Sequence, residues 1–85
     1  MYMLVIMDEK KFFELIEVAL EIKKNSINIK SSTENIENWD SLGQLKILMS
    51  LDNSTNGKSS KINELASVNN VRDFLVILKK YKILK

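Results

Sequence analysis

The chain is 85 residues long, carries a formal net charge of +2, and contains neither cysteine nor histidine. A chain of this length forms one small domain with a modest core. The missing cysteines exclude disulfides and thiolate metal sites, and the missing histidines remove the usual general base, zinc ligand and pH switch. Catalysis by a Ser-His-Asp or Cys-His arrangement is therefore excluded. A cysteine-free chain suits a reducing compartment, and we expect a cytoplasmic protein.

The N-terminal segment, residues 1–7, is the longest apolar run of the sequence, MYMLVIM. It falls far short of the roughly 20 residues that a helix needs to cross a bilayer, so we expect no membrane association. No basic residue precedes this run, which argues against a secretory signal. We interpret residues 1–7 as a tail or short strand that packs on a single helical domain of residues 8–85, and Met7 as an alternative translation start.

The first predicted helix runs from Asp8 to Lys24. Asp8 suits the N-cap position, and apolar residues recur at helical spacing along the segment. Lys23 and Lys24 close the helix, and Asn25 and Ser26 break it. The apolar positions are Phe12, Phe13, Leu15, Ile16, Val18, Ala19, Leu20 and Ile22.

Residues 25–40 form a connection that is long for a compact domain, and long loops are often functional. Residues 27–29, INI, alternate in polarity but are too few to predict a strand. Residues 31–35, SSTEN, have the composition of a turn or cap cluster. We expect Ile36 and Trp39 to fold back onto the core.

The second helix is predicted over Ser41–Asn53, and its apolar face is wide. A helix with such a face either packs between two others or exposes part of itself to a partner. Residues 53–61, NSTNGKSSK, form a loop by composition, and Gly57 suits a turn there.

The C-terminal part of the chain predicts two further helices. A short third helix lies near Ile62–Ala66, and a last helix runs over Val71–Tyr81 or beyond, with Asn69 or Asn70 as its cap. The expected fold class is therefore all-α, a small bundle of three main helices plus a short one, with a long loop between the first and second helices.

Ser41 stands at the boundary between the long loop and the second helix, where a serine can cap, catalyse or be modified. Asp40 capping toward the N–H of Gly43 is the simplest structural explanation of this boundary. Nucleophilic catalysis needs a base, and Lys46 lies about 500° further round the helix and does not face Ser41. Covalent modification by another enzyme needs only exposure, a defined helix end and a nearby docking surface. A phosphate at a helix N-terminus is also favoured by the free N–H groups.

Asp40-Ser41-Leu42, at the start of an apolar helix after a long loop, resembles the acyl carrier protein family. The resemblance covers residues 8–80 and includes the element order, the stretch WDSLGQLKILMSLD and the final helix opening SVNNVRDFL. It implies that Ser41 carries 4′-phosphopantetheine, transferred from coenzyme A by a separate magnesium-dependent phosphopantetheinyl transferase. The thiol of that arm would hold an acyl or aminoacyl group as a thioester.

The same resemblance implies roles for other residues and makes the protein a carrier rather than an enzyme. Asp40 would help the transferase to hold its metal, while the chain itself would have no catalytic residue and no metal site. Val68 matches an apolar position that partner enzymes commonly touch. The positions that line the partner-facing and acyl-facing side of the second helix are Leu42, Leu45 and Met49.

Several residues depart from the family pattern. The family is usually acidic, whereas this chain is slightly basic, and Lys46 stands where a carboxylate is common. Thr55 falls near a place often filled by an aromatic residue, and we expect the loop at 53–61 to carry one extra residue relative to the family. These departures argue against service to the general fatty-acid synthase, whose enzymes meet an acidic carrier. The motif with tryptophan before and glycine after it, Trp39-Asp40-Ser41-Leu42-Gly43, resembles that of many stand-alone carriers from specialised pathways. Gly43 is either tolerated in the first turn or lets the arm or the transferase approach closely.

Two other classes of function remain as alternatives. Residues 66–85 hold five basic residues against one acid, so an unmodified helical domain that binds a protein or a nucleic acid is the main one. A solvated helix end explains the same charges more simply, and we expect no nucleic acid. An independent serine hydrolase is weaker because histidine is absent. The cargo, whether fatty acyl, polyketide, aminoacyl or sugar-modifying, stays open, and we expect a monomer.

Overall fold

The computed structural model describes residues 7–84, and within that range it is a helical bundle without a regular strand. The all-α fold class is therefore confirmed. No helix in the described range is long and apolar enough to cross a membrane. The helices are α1 (Glu9–Leu20), α2 (Ser41–Ser54) and α3 (Val71–Lys80), with two short 3₁₀ helices, Ser59–Lys61 and Asn63–Ser67, between α2 and α3.

Each of the three α-helices begins at a residue whose side chain accepts a hydrogen bond from the third residue after it. This contact satisfies one of the N–H groups that a helix start leaves without a partner. The sequence predicted these caps because the chemistry is local, and Asn70 rather than Asn69 caps the last helix. The three pairs are Asp8 with Lys11, Asp40 with Gly43 and Asn70 with Asp73, each at 2.8 Å.

Helix α1 ends at Leu20, four residues before the predicted end at Lys24. Glu21 adopts a left-handed conformation with φ of 57°, which stops the helix. The carbonyl of Leu20 accepts a hydrogen bond from Asn38 Nδ2 at 3.0 Å. A loop residue distant in the sequence therefore replaces a helical partner, and the two lysines that predicted the helix end lie beyond it.

The core is organised around three aromatic side chains from three parts of the chain. The ring of Phe74 in α3 packs edge-to-face on Phe12 of α1, with centroids 5.4 Å apart. It also stacks on Trp39 of the long loop at 6.1 Å. Rings of this size dominate the apolar area that a small domain buries. The expected return of Trp39 to the core is confirmed, and Ile36 packs half-buried against the same core.

The long loop is held to the body by backbone and side-chain hydrogen bonds rather than by a strand. The N–H of Ile27 donates to the buried carboxylate of Glu17 at 3.1 Å, and the N–H of Thr33 donates to the carbonyl of Asn69 at 3.0 Å. In a strand, Ile27 and Ile29 would lie on the same face. Ile27 is buried and Ile29 is exposed, so residues 27–29 do not form a strand. The loop is therefore an ordered part of the fold.

The segment between α2 and α3 contains more helical structure than predicted. The short helix predicted near Ile62–Ala66 is the 3₁₀ helix Asn63–Ser67, shifted by one residue. The other 3₁₀ helix, Ser59–Lys61, lies inside the predicted loop, where Thr55 Oγ1 accepts a hydrogen bond from the N–H of Ser59 at 3.2 Å. The composition of the loop did not predict this hydrogen bond between residues four positions apart.

The two ends of the described chain meet. Met7, assigned to the tail from the sequence, is buried in the core and forms an isolated parallel bridge with Leu84. Residues 1–6, the rest of the predicted tail, lie outside the described residues, as does Lys85. Met7 therefore belongs to the folded domain.

Candidate functional site

Ser41 is the first residue of α2, and its side chain is exposed at the surface. Asp40 precedes it as the N-cap, and the carbonyl of Asp40 accepts the N–H of Gln44 at 2.8 Å to close the first helical turn. The predicted cap, Asp40, is therefore confirmed, and the Ser41 hydroxyl is not needed to cap the helix. A helix start of this kind also leaves the N–H groups of Ser41 and Leu42 without intrahelical partners.

Hydrogen bonds of Trp39 and Gln44 fix the position of Ser41 at the start of α2. Trp39 is only 1% exposed, and its indole Nε1 donates a hydrogen bond to Gln44 Oε1 at 2.8 Å. Gln44 Nε2 in turn donates to the carbonyl of Leu65 at 3.3 Å. The loop before Ser41, the first turn of α2 and the second 3₁₀ helix are thus tied together. Sequence reasoning missed Gln44, because a tryptophan–glutamine pair five residues apart carries no recognised signal.

Gly43 has a packing role that neither sequence-based explanation included. The residue is buried, and a Cβ added there would lie 2.3 Å from the backbone oxygen of Asn38 and 2.8 Å from Leu20 Cδ2. The first of these neighbours is backbone and cannot swing away. Glycine is therefore required for α2 to pack against the long loop and the end of α1, independently of any approach by an arm or a transferase.

Helix α2 exposes a row of large apolar side chains on the side opposite its buried residues. Leu42, Leu45 and Met49 are 60%, 52% and 58% exposed, whereas Ile47 and Leu51 are fully buried. The row begins next to Ser41 and follows the helix for two turns. A contiguous apolar surface of this kind on a small domain is typical of an interaction site.

Lys46 lies beside this apolar row and pairs with an acid from α1's C-terminal cap. Its Nζ is 3.5 Å from Glu21 Oε2, and both side chains are well exposed. An exposed ion pair of this kind contributes about 0–1 kcal/mol, so it does little for the fold. Lys46 and Glu21 together present one charge of each sign to whatever meets α2.

Packing and hydrogen bonding within the fold explain why valine stands at position 68 and threonine at position 55. Val68, predicted as a position that partners touch, is only 6% exposed and belongs to the core cluster, which is enough to explain an apolar residue there. Thr55, half-buried at the end of α2, donates its hydroxyl to the carbonyl of Leu51 at 2.9 Å and accepts from Ser59. A threonine that performs both roles fits this turn, and an aromatic ring would lose both hydrogen bonds.

A groove of about 480 Å³ runs between α2 and the two 3₁₀ helices. Its walls are mainly apolar and its remaining lining is polar. Met49 belongs both to the exposed row and to the groove, so the two surfaces are continuous. The apolar lining comes from Leu48, Met49, Ile62, Leu65 and Ala66, and the polar lining includes Asp52, Ser59 and Asn63.

The lysines at the end of α3 are engaged by acids from elsewhere in the fold. Lys79 Nζ lies 2.8 Å from Glu9 Oε2, and Lys80 Nζ lies 3.5 Å from Glu64 Oε2. Glu64 also accepts a hydrogen bond from the Tyr81 hydroxyl at 2.8 Å, and this bond raises the pKa of Tyr81 above its ordinary value. Within residues 7–84, acids therefore accompany two of the lysines at this end, which makes a one-sided basic patch of the kind that binds nucleic acids less favourable there.

A comparison with protein-family models, with curated proteins and with solved structures found no significant match to this chain. Any functional assignment therefore depends on the residues and the geometry themselves. The features that bear on function are an exposed serine at a capped helix start, an apolar row beside it, and a groove continuous with that row.

Proposed function

We propose that this protein is a covalent carrier of the acyl carrier protein type, with 4′-phosphopantetheine attached to Ser41. The observation that carries the proposal is the exposure of Ser41 at the start of α2, directly beside the apolar row of Leu42, Leu45 and Met49. A substrate for a modifying enzyme needs an accessible hydroxyl and a surface on which that enzyme docks. Both requirements are met within two helical turns.

The start of α2 also suits a phosphodiester. The N–H groups at the first turn and the helix dipole favour a negative charge by about 0.3–1 kcal/mol. Asp40 opposes this locally with its own charge, so its proposed role lies in the transfer step, where it helps the transferase to hold Mg²⁺. A Mg²⁺ ion held there by the transferase would offset the negative charges of Asp40 and of the phosphate.

The proposed transfer balances without a base on this chain. The Oγ of Ser41 attacks the phosphorus of coenzyme A that bears the pantetheine, and the Oγ–P bond forms as the pyrophosphate bond breaks. Adenosine 3′,5′-bisphosphate leaves, and a base on the transferase takes the hydroxyl proton. Once attached, the arm supplies the thiol that a chain without cysteine lacks, and that thiol holds the cargo as a thioester.

The surface around Ser41 supports partners from a specialised pathway. α2 offers three exposed apolar side chains and the pair Lys46–Glu21, rather than a row of carboxylates. Such a surface fits loading and acyl-transferring enzymes that dock through apolar contacts, and not enzymes that rely on a basic patch. Because coenzyme A and its transferases work in the cytoplasm, we place the carrier there.

The direct test is modification in vitro. The purified protein, incubated with coenzyme A, Mg²⁺ and a broad-specificity phosphopantetheinyl transferase, is expected to gain the mass of one phosphopantetheinyl group. Ser41→Ala is expected to abolish the gain, while Ser54→Ala, which alters an exposed serine at the other end of α2, is expected to keep it. Unmodified wild-type protein across several transferases, with a helical circular dichroism spectrum, would contradict the proposal.

The second candidate is a helical interaction domain without a prosthetic group, favoured by the same exposed row on α2. It predicts a partner that binds wild-type protein and Ser41→Ala equally well. Its nucleic-acid version is less favourable because Lys79 and Lys80 are both paired with acids. Binding to DNA or RNA that weakens steeply with added salt would support that version.

A further inference from the structure

We infer that Asn56 is a site of spontaneous deamidation, in which the backbone nitrogen of Gly57 is the nucleophile and water is the co-reactant. The inference does not depend on the proposed attachment at Ser41. Its starting point is the turn that follows α2, which holds an exposed asparagine in a left-handed conformation directly before a glycine.

The turn after α2 requires two successive residues in the left-handed region. The angle φ is 54° at Asn56 and 83° at Gly57, and Asn56 is exposed. Glycine adopts such a conformation without strain, and asparagine is among the few other residues that tolerate it, which explains why these two stand there. The same choice puts a carboxamide next to the one residue type whose backbone nitrogen is not shielded by a side chain.

The reaction exchanges the side-chain amide of Asn56 for a carboxylate without an enzyme. The nitrogen of Gly57, after losing its proton to solvent, attacks Cγ of Asn56, and a succinimide ring forms as the amide group takes up a proton and leaves as ammonia. Water then opens the ring at either carbonyl. One opening gives aspartate, and the other gives isoaspartate, in which the main chain runs through the side-chain carbonyl. Either product adds one negative charge to a chain whose net charge is +2.

Asn25 provides a comparison within the same chain. It is also exposed and left-handed, with φ of 69°, but it is followed by Ser26. In both turns the N–H of the residue after the asparagine donates to a backbone carbonyl. A Cβ on that residue stands beside the attacking nitrogen and hinders its approach to Cγ. The glycine after Asn56 is therefore the main difference between the two sites, and it favours reaction at Asn56.

A hydrogen bond within the turn limits the rate of this reaction. The N–H of Gly57 donates to the carbonyl of Asp52 at 2.9 Å, so the fold holds the proton that has to leave before the attack. The turn has to open locally before the nitrogen can approach Cγ. One hydrogen bond shifts such an opening by about two- to tenfold, and we expect the unfolded chain to deamidate faster than the folded protein by at least that factor.

Isoaspartate at position 56 would disrupt the connection to the first 3₁₀ helix. Its extra main-chain atom falls between the two sides of the turn, where the N–H of Lys58 donates to the carbonyl of Thr55 at 3.1 Å. The N–H of Ser59 also donates across the turn, to Thr55 Oγ1 at 3.2 Å. The loss of one such bond lowers the unfolding temperature of a domain of this size by about 4–8 °C. The reaction therefore changes the structure at the end of α2 as well as the charge.

Peptide mapping by mass spectrometry tests the site on the full chain. Wild-type protein is incubated for weeks in mildly alkaline buffer, with and without urea, and the aspartate and isoaspartate forms of each peptide are then separated. We expect the exchange of amide for acid to appear at Asn56 before Asn25, and at Asn56 at least about two- to tenfold faster in urea. Asn56→Gly, which suits a positive φ, is expected to abolish the exchange there, while Asn25→Gly is expected to leave the rate at Asn56 unchanged.

The inference is overturned if Asn56 stays unmodified, or if Asn25 changes as fast, because the glycine would then have no role. Equal rates at Asn56 in buffer and in urea would overturn the control of the reaction by the turn. We expect the isolated isoaspartate form to unfold about 4–8 °C below the unmodified protein. Asn56→Asp, which adds the charge without the extra main-chain atom, is the matched control and is expected to lose less. Equal unfolding temperatures for all three proteins would contradict the loss of structure.

Discussion

The two ends of α2 differ in how far their polar side chains are hydrogen-bonded. At the N-terminal end, Asp40 accepts the N–H of Gly43 and Trp39 donates to Gln44, so the side chains around Ser41 are paired and held. At the C-terminal end, Asp52 Oδ1 is buried without a partner among residues 7–84, and the helix dipole there disfavours a carboxylate. The difference separates a hydrogen-bonded helix start around Ser41 from a helix end where one carboxylate oxygen is left unpaired within residues 7–84.

This comparison predicts opposite signs for substitutions at the two ends. Changes around Ser41 remove satisfied contacts and lower the free energy of unfolding. A change at Asp52 removes an unsatisfied charge and raises it. The predictions below run from the largest expected effect to the smallest.

Trp39→Ala is expected to have the largest effect on stability. The substitution removes a fully buried ring that stacks on Phe74 and leaves Gln44 Oε1 without its donor. We expect a loss of about 3–5 kcal/mol in the free energy of unfolding, measured by urea denaturation. Trp39→Phe, which keeps an aromatic ring and removes only the N–H, is the matched control and is expected to lose less. Equal losses in the two variants would show that the hydrogen bond, and not the ring, fixes the start of α2.

Gly43→Ala tests the packing of the first turn of α2. The added methyl group would lie 2.3 Å from the backbone oxygen of Asn38, so the loop has to move. We expect a loss of about 1–3 kcal/mol from overpacking, against the gain in helix propensity that alanine brings elsewhere in a helix. Leu42→Ala on the exposed side of the same turn is the control and is expected to change stability by less than about 0.5 kcal/mol. A more stable Gly43→Ala variant would contradict the packing role.

Asp52→Asn in the protein without its arm is expected to act in the opposite direction. Removing a negative charge from the last turn of α2 is expected to raise the free energy of unfolding by about 0.3–1 kcal/mol. Thermal unfolding of the two proteins in low salt measures this gain. A clear loss of stability would mean that Asp52 supports the fold, and the contrast between the two ends of α2 would be wrong.

The smallest expected effect concerns Tyr81 and Glu64, far from both ends of α2. The carboxylate of Glu64 accepts the Tyr81 hydroxyl, which raises the pKa of Tyr81 above 10.0. A pKa raised in the folded state gives stability that is complete below the unfolded pKa and is lost as the pH rises through the folded one. We therefore expect the contribution of this bond to disappear only in strongly alkaline solution. Glu64→Gln is expected to lower the tyrosine pKa in a spectrophotometric titration, and an unchanged titration would contradict the bond.

Local chemistry explains what the sequence predicted well. Asp8, Asp40 and Asn70 could be assigned as caps because each cap involves residues three apart. The wide apolar face predicted for the second helix is likewise a local pattern, and the structure exposes part of it, at Leu42, Leu45 and Met49, and buries the rest, including Ile47 and Leu51.

Contacts between distant residues explain what could not be predicted. The end of α1 depends on Asn38, 18 positions from the carbonyl that it binds, so the lysines near residue 24 gave a misleading boundary. The need for glycine at position 43 depends on the same loop. The unpaired state of Asp52 depends on what the rest of the chain fails to bring to it. None of these is visible in a local pattern.

The central claim, that Ser41 carries a phosphopantetheine arm, is tested most directly by fragment mass spectrometry. The wild-type protein is treated with coenzyme A, Mg²⁺ and a transferase, digested, and its peptides are sequenced. We predict one added phosphopantetheinyl group, located on the serine that follows Asp40. An added group on any other residue, or none on folded protein with several active transferases, would contradict the claim.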